Sequence, residues 1–254
     1  MKKLSALLLA VILVLSLAAC ASTAKNDEPA PDASEAAKLT MATEATFPPY
    51  EYYDGDAIVG IDVEVAQAIA DKLGMELEVT DIAFDSIIPG IQTGKYDMGM
   101  AGMTVTDERK EQVNFSDSYA TGVQVVIVKE GSDVTLDNLG EKMIGTQRGT
   151  TGYIYTSDDY GDDHVTAYDN GASAVQALIN GQVDCVVIDS APAEAFVAAN
   201  AGLTILDTEY VTENYAIGVN KDNTALLDAI NQVLAELIAD GTVQSIVDKY
   251  ISAE

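Results

Sequence analysis

Two arginines stand in a chain of 254 residues that carries 41 acidic ones. The first closes the run Gly102-Met103-Thr104-Val105-Thr106-Asp107-Glu108-Arg109. Thr106 or Asp107 can cap a helix start there, which sets Arg109 in a first turn beside backbone N–H groups and the Thr104 hydroxyl. Such donors suit an anion, above all a carboxylate gripped two-pronged by the guanidinium. The second arginine lies in Gly145-Thr146-Gln147-Arg148-Gly149-Thr150-Thr151-Gly152. This is a strand–loop–helix turn that could form a second clamp on the same anion, with Arg148 at its rim. It lacks the glycine spacing and the lysine of a P-loop. Asp189, after the apolar run Val183–Ile188, offers a carboxylate to an ammonium. Residue types alone leave plainer readings open: a surface salt bridge for Arg109, and an N-cap for the helix from Ala191 in the case of Asp189.

Other reactive side chains carry less. Cys185 falls inside an apolar strand and reads as a packed, inert thiol. His164 is the only histidine and follows the acidic loop 157–163. The spacing of Asp158, Asp159, Asp162 and Asp163 does not fit an EF-hand, so a solvated turn is expected, with no metal and no cofactor.

The elements that must position these residues alternate. Strands are expected at Leu39–Thr43, Met75–Thr80, Tyr96–Met100, Met143–Thr146 and Cys185–Ile188. Helices are expected at Asp62–Leu73, Ser86–Thr93, Ala172–Asn180 and Ala191–Ala201, with two more between Thr224 and Ile251 broken at Asp240-Gly241. This is α/β grammar with largely parallel sheets. One pattern recurs at an offset of 87 residues: Gly94 and Gly181 end helices, Asp97 and Asp184 precede buried strands, and Gly102 and Asp189 follow those strands. Ligands of open α/β sheets sit beyond such carboxyl ends, so two facing mouths would form a cleft.

The N-terminus reads as an address. Residues 1–19 hold Lys2, Lys3 and the apolar run Leu4–Leu17, a secretory signal too short for a spanning helix. Leu17-Ala18-Ala19-Cys20 resembles a bacterial lipobox, which implies a diacylglyceryl modification on Cys20. Residues 20–37 lack aromatic and large aliphatic side chains and form a flexible linker. The protein is therefore expected on the outer face of a cell membrane, lipid-anchored, whether surface-exposed or periplasmic. Without the signal, 11 basic residues face 41 acidic ones, a net charge of −30. That balance excludes a nucleic-acid binder and docking on anionic lipid through a basic patch. With 48% apolar residues the acid is surface charge on a folded core.

From about Leu39 to Ile251 the chain resembles the polar amino-acid solute-binding proteins that serve ABC importers, with the type II periplasmic-binding fold. The resemblance rests on Thr43-Glu44-Ala45-Thr46-Phe47-Pro48-Pro49-Tyr50-Glu51-Tyr52, Gly60-Ile61-Asp62-Val63-Glu64-Val65-Ala66 and Phe84-Asp85-Ser86-Ile87-Ile88-Pro89. It continues through Ala101–Lys110, Phe115-Ser116-Asp117-Ser118-Tyr119, Gln147-Arg148-Gly149-Thr150-Thr151 and Val187-Ile188-Asp189. It implies that the Gly102 N–H, Thr104, Arg109 and Thr151 hold a ligand carboxylate and that Asp189 takes its α-ammonium. Phe47 and Phe84 would sandwich the ligand side chain, whose far end Glu44 and Gln147 would face. Glu44 stands where the family commonly has Asp, and leans toward a cationic or amide side chain. Tyr50 fits the cleft or the core equally well.

The resemblance further implies two lobes that close on the ligand, residues 38–120 with 215–254 and residues 121–214. The crossings fall near Tyr119–Val123 and Val211–Tyr215. The expected partners are a free amino acid and a membrane permease, the expected state a monomer. The alternatives are an enzyme of the same fold, such as a prephenate or arogenate dehydratase using Glu44 or Asp189 as general acid, and an amino-acid sensor. The sequence offers no histidine in a motif for the first. A fused receptor would need a spanning segment after Ile251, although a separate membrane partner could still read the closed form.

Overall fold

A thirteen-residue helix with Ile61, Val65, Ala66, Ile69 and Ala70 on one buried face shows how the chain builds its first core. The computed structural model describes residues 37–207 and 209–251. The expected signal peptide, Cys20 and all of the linker but Ala37 lie outside the described residues.

The elements run β1 (Lys38–Thr43), β2 (Thr46–Phe47), β3 (Glu51–Asp54), β4 (Ala57–Val59), α1 (Ile61–Leu73), β5 (Glu76–Asp81), α2 (Ile87–Gln92), β6 (Met98–Gly99), α3 (Asp107–Gln112) and β7 (Asn114–Lys129). They continue with β8 (Ile144–Gln147), α4 (Thr151–Tyr160), β9 (Val165–Tyr168), α5 (Gly171–Ile179), β10 (Cys185–Asp189), α6 (Ser190–Ala199), β11 (Leu203–Ile205), β12 (Val211–Val219), α7 (Thr224–Ala239) and α8 (Thr242–Tyr250). The nine-stranded sheet has the order β5-β1-β6-β12-β7-β10-β8-β9, with β11 on β7, and β2–β4 form a small separate antiparallel sheet. Parallel strands occupy both ends, β5-β1-β6 and β10-β8-β9. The antiparallel pair β7/β12 joins them. Both predicted crossings fall in this pair, where Ala120 through Gln124 face Tyr215 through Val211.

Apolar side chains gather on either side of the pair. One core draws on Leu39, Met41, Ile61 and Ile69 and also on Ile230, Leu234, Leu237 and Val243 from α7 and α8. Another draws on Val125, Ile127, Ala174, Leu178, Val186 and Ile188. The type II periplasmic-binding architecture expected from the sequence is thus the one observed, two parallel α/β halves with a cleft between their strand ends.

Several expectations differ locally. The helix expected at Ser86–Thr93 begins as a 3₁₀ turn, Phe84–Ser86, and becomes α-helical at Ile87, where Pro89 is tolerated in the first turn. The strand expected at Tyr96–Met100 pairs only at Met98–Gly99. Strands β2–β4 are two to four residues long and below the reach of a periodicity signal.

Candidate functional site

The nine site residues expected from the resemblance, Glu44, Phe47, Phe84, Gly102, Thr104, Arg109, Gln147, Thr151 and Asp189, line one cavity, together with Glu51, Gln124, Tyr215 and other neighbours. The open space among them is about 30 Å³, room for about two water molecules.

Thr106 caps α3, its hydroxyl accepting the Arg109 N–H at 3.1 Å. Arg109 is 5% exposed, which removes the surface salt-bridge reading. Its guanidinium donates to the Thr104 carbonyl at 2.7 Å and to the Gly149 carbonyl of the opposite half at 3.0 Å, and lies 5.3 Å from the centre of the Phe84 ring. Burial lowers the Arg109 pKa, opposed chiefly by the charge of Glu213. Thr104 and Thr151 approach across the cleft, their hydroxyls 3.5 Å apart. Gly149 holds φ +75°, and a Cβ there would meet the Asp85 Cβ at 3.1 Å, so a side chain would push the halves apart.

Gly102 corrects one expectation. Its N–H donates to Asp62 Oδ2 at 2.9 Å and is not free for a ligand carboxylate. The turn needs glycine all the same, because φ is +50° and a Cβ would lie 2.9 Å from the Phe47 ring.

Asp189 meets its N-cap reading and also lines the cavity. It caps α6, one oxygen accepting the Ala191 N–H at 3.3 Å, and it faces the cavity. Its other oxygen accepts the Tyr215 hydroxyl. Burial pushes the Asp189 pKa up to about 7 against the pull of these donors. Glu44, also buried, accepts from the Thr46 hydroxyl and from Gln147 Nε2 at 3.3 Å across the cleft. Its pKa too is raised by burial, less so because of those two bonds.

Tyr50 belongs to the core. It is buried, its ring centre lies 5.9 Å from that of Phe47 in a stacked pair, and it meets Tyr215 edge-on at 5.2 Å. Arg148 is exposed and paired with Asp169 at 3.2 Å, outside the cavity. Cys185 is buried with its thiol pushed up to about 12, and His164 Nδ1 lies 3.3 Å from the Lys142 carbonyl oxygen. Among the described residues no cluster of His, Cys, Asp and Glu could hold a metal.

Sequence reasoning missed Glu51, Gln124 and Tyr215. Tyr215 and Gln124 sit on the crossing strands, where β pairing sets which side chains reach the cavity. Gln124 Nε2 donates to the buried Glu213 at 2.8 Å. Alternation along β12 was a usable signal, since Glu213 and Tyr215 share a face two residues apart.

Comparison with known proteins gives the family. Residues 39–253 match the family described as bacterial extracellular solute-binding proteins, family 3. The ABC transporter arginine-binding protein 1 of Escherichia coli (strain K12) is 36% identical over 224 residues, 86% of this chain and 92% of that protein. The arginine-binding extracellular protein ArtP of Bacillus subtilis (strain 168) is 35% identical over the full length of both. A solved structure of an ancestral arginine-binding protein bound to arginine superposes with a TM-score of 0.79 at 42% identity, covering 85% of this chain and 98% of that one. These relatives bear the names of binding proteins, not of enzymes. The chain belongs to the bacterial extracellular solute-binding proteins, family 3.

Proposed function

We propose that the protein captures a cationic amino acid, arginine foremost, by closure of its two halves and delivers it to an ABC permease. The observation that carries this reading is Glu44. A zwitterion is matched by Arg109 and Asp189 alone, and a neutral side chain would leave the buried Glu44 carboxyl facing it. A ligand with two cationic groups and one carboxylate pairs all three, which matters because an unpaired buried charge is very costly. Gln147, Phe47 and Phe84 line the same cavity and offer an amide and two aromatic rings, groups that suit a planar guanidinium. The arginine-binding names of the relatives support the same choice.

The halves meet across the cleft through Arg109 with Gly149 and Thr104 with Thr151, so they must part to admit a ligand. In this reading residues 38–120 with 215–254 and residues 121–214 are the moving bodies, and the paired segments Ala120–Gln124 and Val211–Tyr215 flex between them. Residues 1–19 direct export, a lipid on Cys20 tethers the chain, and the monomer works on the outer face of the membrane. Radiolabelled palmitate should enter the wild type and not the variant Cys20→Ala.

A thermal-shift panel of arginine, lysine, ornithine, histidine, glutamine and cystine tests the ligand. Arginine at 100 times its Kd adds about 2.7 kcal/mol to stability. Tighter binding of glutamine or cystine would overturn the reading of Glu44. No shift with any of the twenty amino acids, ornithine or cystine would overturn amino-acid binding itself.

A further inference from the structure

Two carboxyls that the proposed function does not use are set against each other at one edge of the cavity, Glu51 on its lining and Asp62 behind it. Glu51 heads β3 and Asp62 is the second residue of α1. Backbone contacts force them together. The Ile61 N–H donates to the Pro49 carbonyl at 3.1 Å and the Asp62 N–H to the Tyr50 carbonyl at 3.0 Å, so the loop before Glu51 caps the first turn of α1. Gly60 permits this approach, since a Cβ there would strike the Tyr50 carbonyl.

Both side chains are buried, at 1% and 0% exposure. Asp62 Oδ2 accepts the Gly102 N–H. Both Glu51 oxygens and Asp62 Oδ1 lack a fully formed hydrogen bond among the described residues, and the further donor set against Asp62 is the buried Tyr119 hydroxyl. The titratable groups that face the pair are Glu44 at the end of β1, Tyr50 and Tyr119, with Asp189 beyond Tyr50. None of them is cationic.

Two carboxylates set against each other with no cation between them repel in a medium that screens poorly. One proton turns that repulsion into a hydrogen bond, in which the acid donates and the carboxylate accepts. We propose that Glu51 and Asp62 share a single proton at neutral pH, and that the resulting acid pair, with one net negative charge, holds the Gly102 turn in place through Asp62. Burial and the charge of Asp62 push Glu51 well above the usual carboxylate range, while burial raises Asp62 to about 6 against the pull of Gly102, Tyr119 and Glu51, in keeping with one proton between them. The first turn of α1 favours the remaining charge on Asp62. The pair positions the turn and does not itself grip the ligand.

The test is infrared difference spectroscopy of the full chain at pH 7.5, wild type minus Glu51→Gln and wild type minus Asp62→Asn. A protonated-carboxyl C=O band present in the wild type is expected to vanish in Glu51→Gln and to move in Asp62→Asn, where the buried Glu51 acid loses its carboxylate partner. The second readout is the thermal midpoint of the ligand-free protein between pH 8 and pH 10. The wild type should lose stability as the shared proton leaves, and Glu51→Gln should lose markedly less, because its amide cannot ionise. Should Glu51→Gln not fold, the movement of the band in Asp62→Asn carries the same reading. Retention of the band in folded Glu51→Gln, an unmoved band in Asp62→Asn, or identical alkaline profiles for the wild type and Glu51→Gln, overturns the acid pair. Both readouts are independent of ligand. Failure of arginine to bind would therefore sink the proposed function and leave the acid pair standing.

Discussion

The two strand mouths that face the cavity are built on one frame and finished differently. In the first, Gly94 has φ +70° and its N–H donates to the Ile91 carbonyl while that of Lys95 reaches back to Gly90. In the second, Gly181 has φ +72°, with bonds from Gly181 to Leu178 and from Gln182 to Ala177 in the same pattern. Asp97 then accepts the Thr40 N–H at 2.8 Å, and Asp184 accepts the Met143 N–H at 2.8 Å, each fastening its strand to the neighbouring parallel one. Beyond the strands the likeness ends. The first mouth closes with Gly102, tied to a buried acid, and the second with Asp189, itself a buried acid. The frame sets where a mouth lies, and the residue after it sets the chemistry.

The largest break in this comparison falls on the finishing residues. Arg109→Ala should weaken arginine binding by about 2–5 kcal/mol by calorimetry, as removing one partner of a buried charge pair does. Asp189→Asn should cost a similar amount while α6 persists in circular dichroism, because the amide oxygen can still cap it.

Next in size is pH. Ammonium binding needs Asp189 ionised, and its folded pKa is about 7 in the ligand-free protein. Affinity should therefore fall as pH drops from 8 to 5, approaching tenfold per unit for each proton displaced. Stability of the ligand-free fold should move the other way. Asp189, Asp62, Glu44 and Glu51 all have raised folded values, so the folded state holds more protons than the unfolded chain between about pH 4 and pH 7. Their contribution is largest below the unfolded carboxylate values and is lost as pH rises through the folded ones. Thermal midpoints without ligand should rise from pH 7.5 to pH 5.5, and a flat or falling curve would show that these acids are not protonated in the fold.

The shared frame gives the smaller effects. Asp97→Ala should destabilise by about 1–3 kcal/mol through an unpaired, part-buried strand N–H, and Asp184→Ala, whose bond is exposed, by about 0.5–1.5 kcal/mol. Asp97 should be the costlier, since it also accepts the Thr40 hydroxyl at 2.7 Å. Gly94→Ala and Gly181→Ala should each cost about 1–2 kcal/mol for a left-handed residue with a Cβ. The two should match within a few tenths in denaturant unfolding, and a clear mismatch would mean that the two turns bear different loads.

These regions also mark what the sequence made legible. Helices α1, α5, α7 and α8 could be read from apolar spacing and glycine stops, because their burial repeats along the chain. The sixteen residues of β7 could not, because Gly122 and polar positions interrupt its alternation. The nine expected site residues came from ordered motifs, and all of them line the cavity. Glu51 and Asp62 stood inside those motifs without a role. Their pairing arises from the approach of Tyr50 to the start of α1, a tertiary contact that eleven residues of sequence separation do not announce.

The makeup of the first core has a consequence for how the chain can acquire structure in time. Leu39 and Met41 pack in the same cluster as Leu237 and Val243. Whether released from a ribosome or from a translocation pore, a chain that emerges N-terminus first cannot complete that cluster until nearly its whole length is out. The half around α5 and β10 draws its apolar residues from an unbroken middle stretch and has no such wait. During vectorial synthesis the middle of this protein can assemble before its beginning does, and the late-arriving α7 and α8 act as the final closure of a core opened some 190 residues earlier.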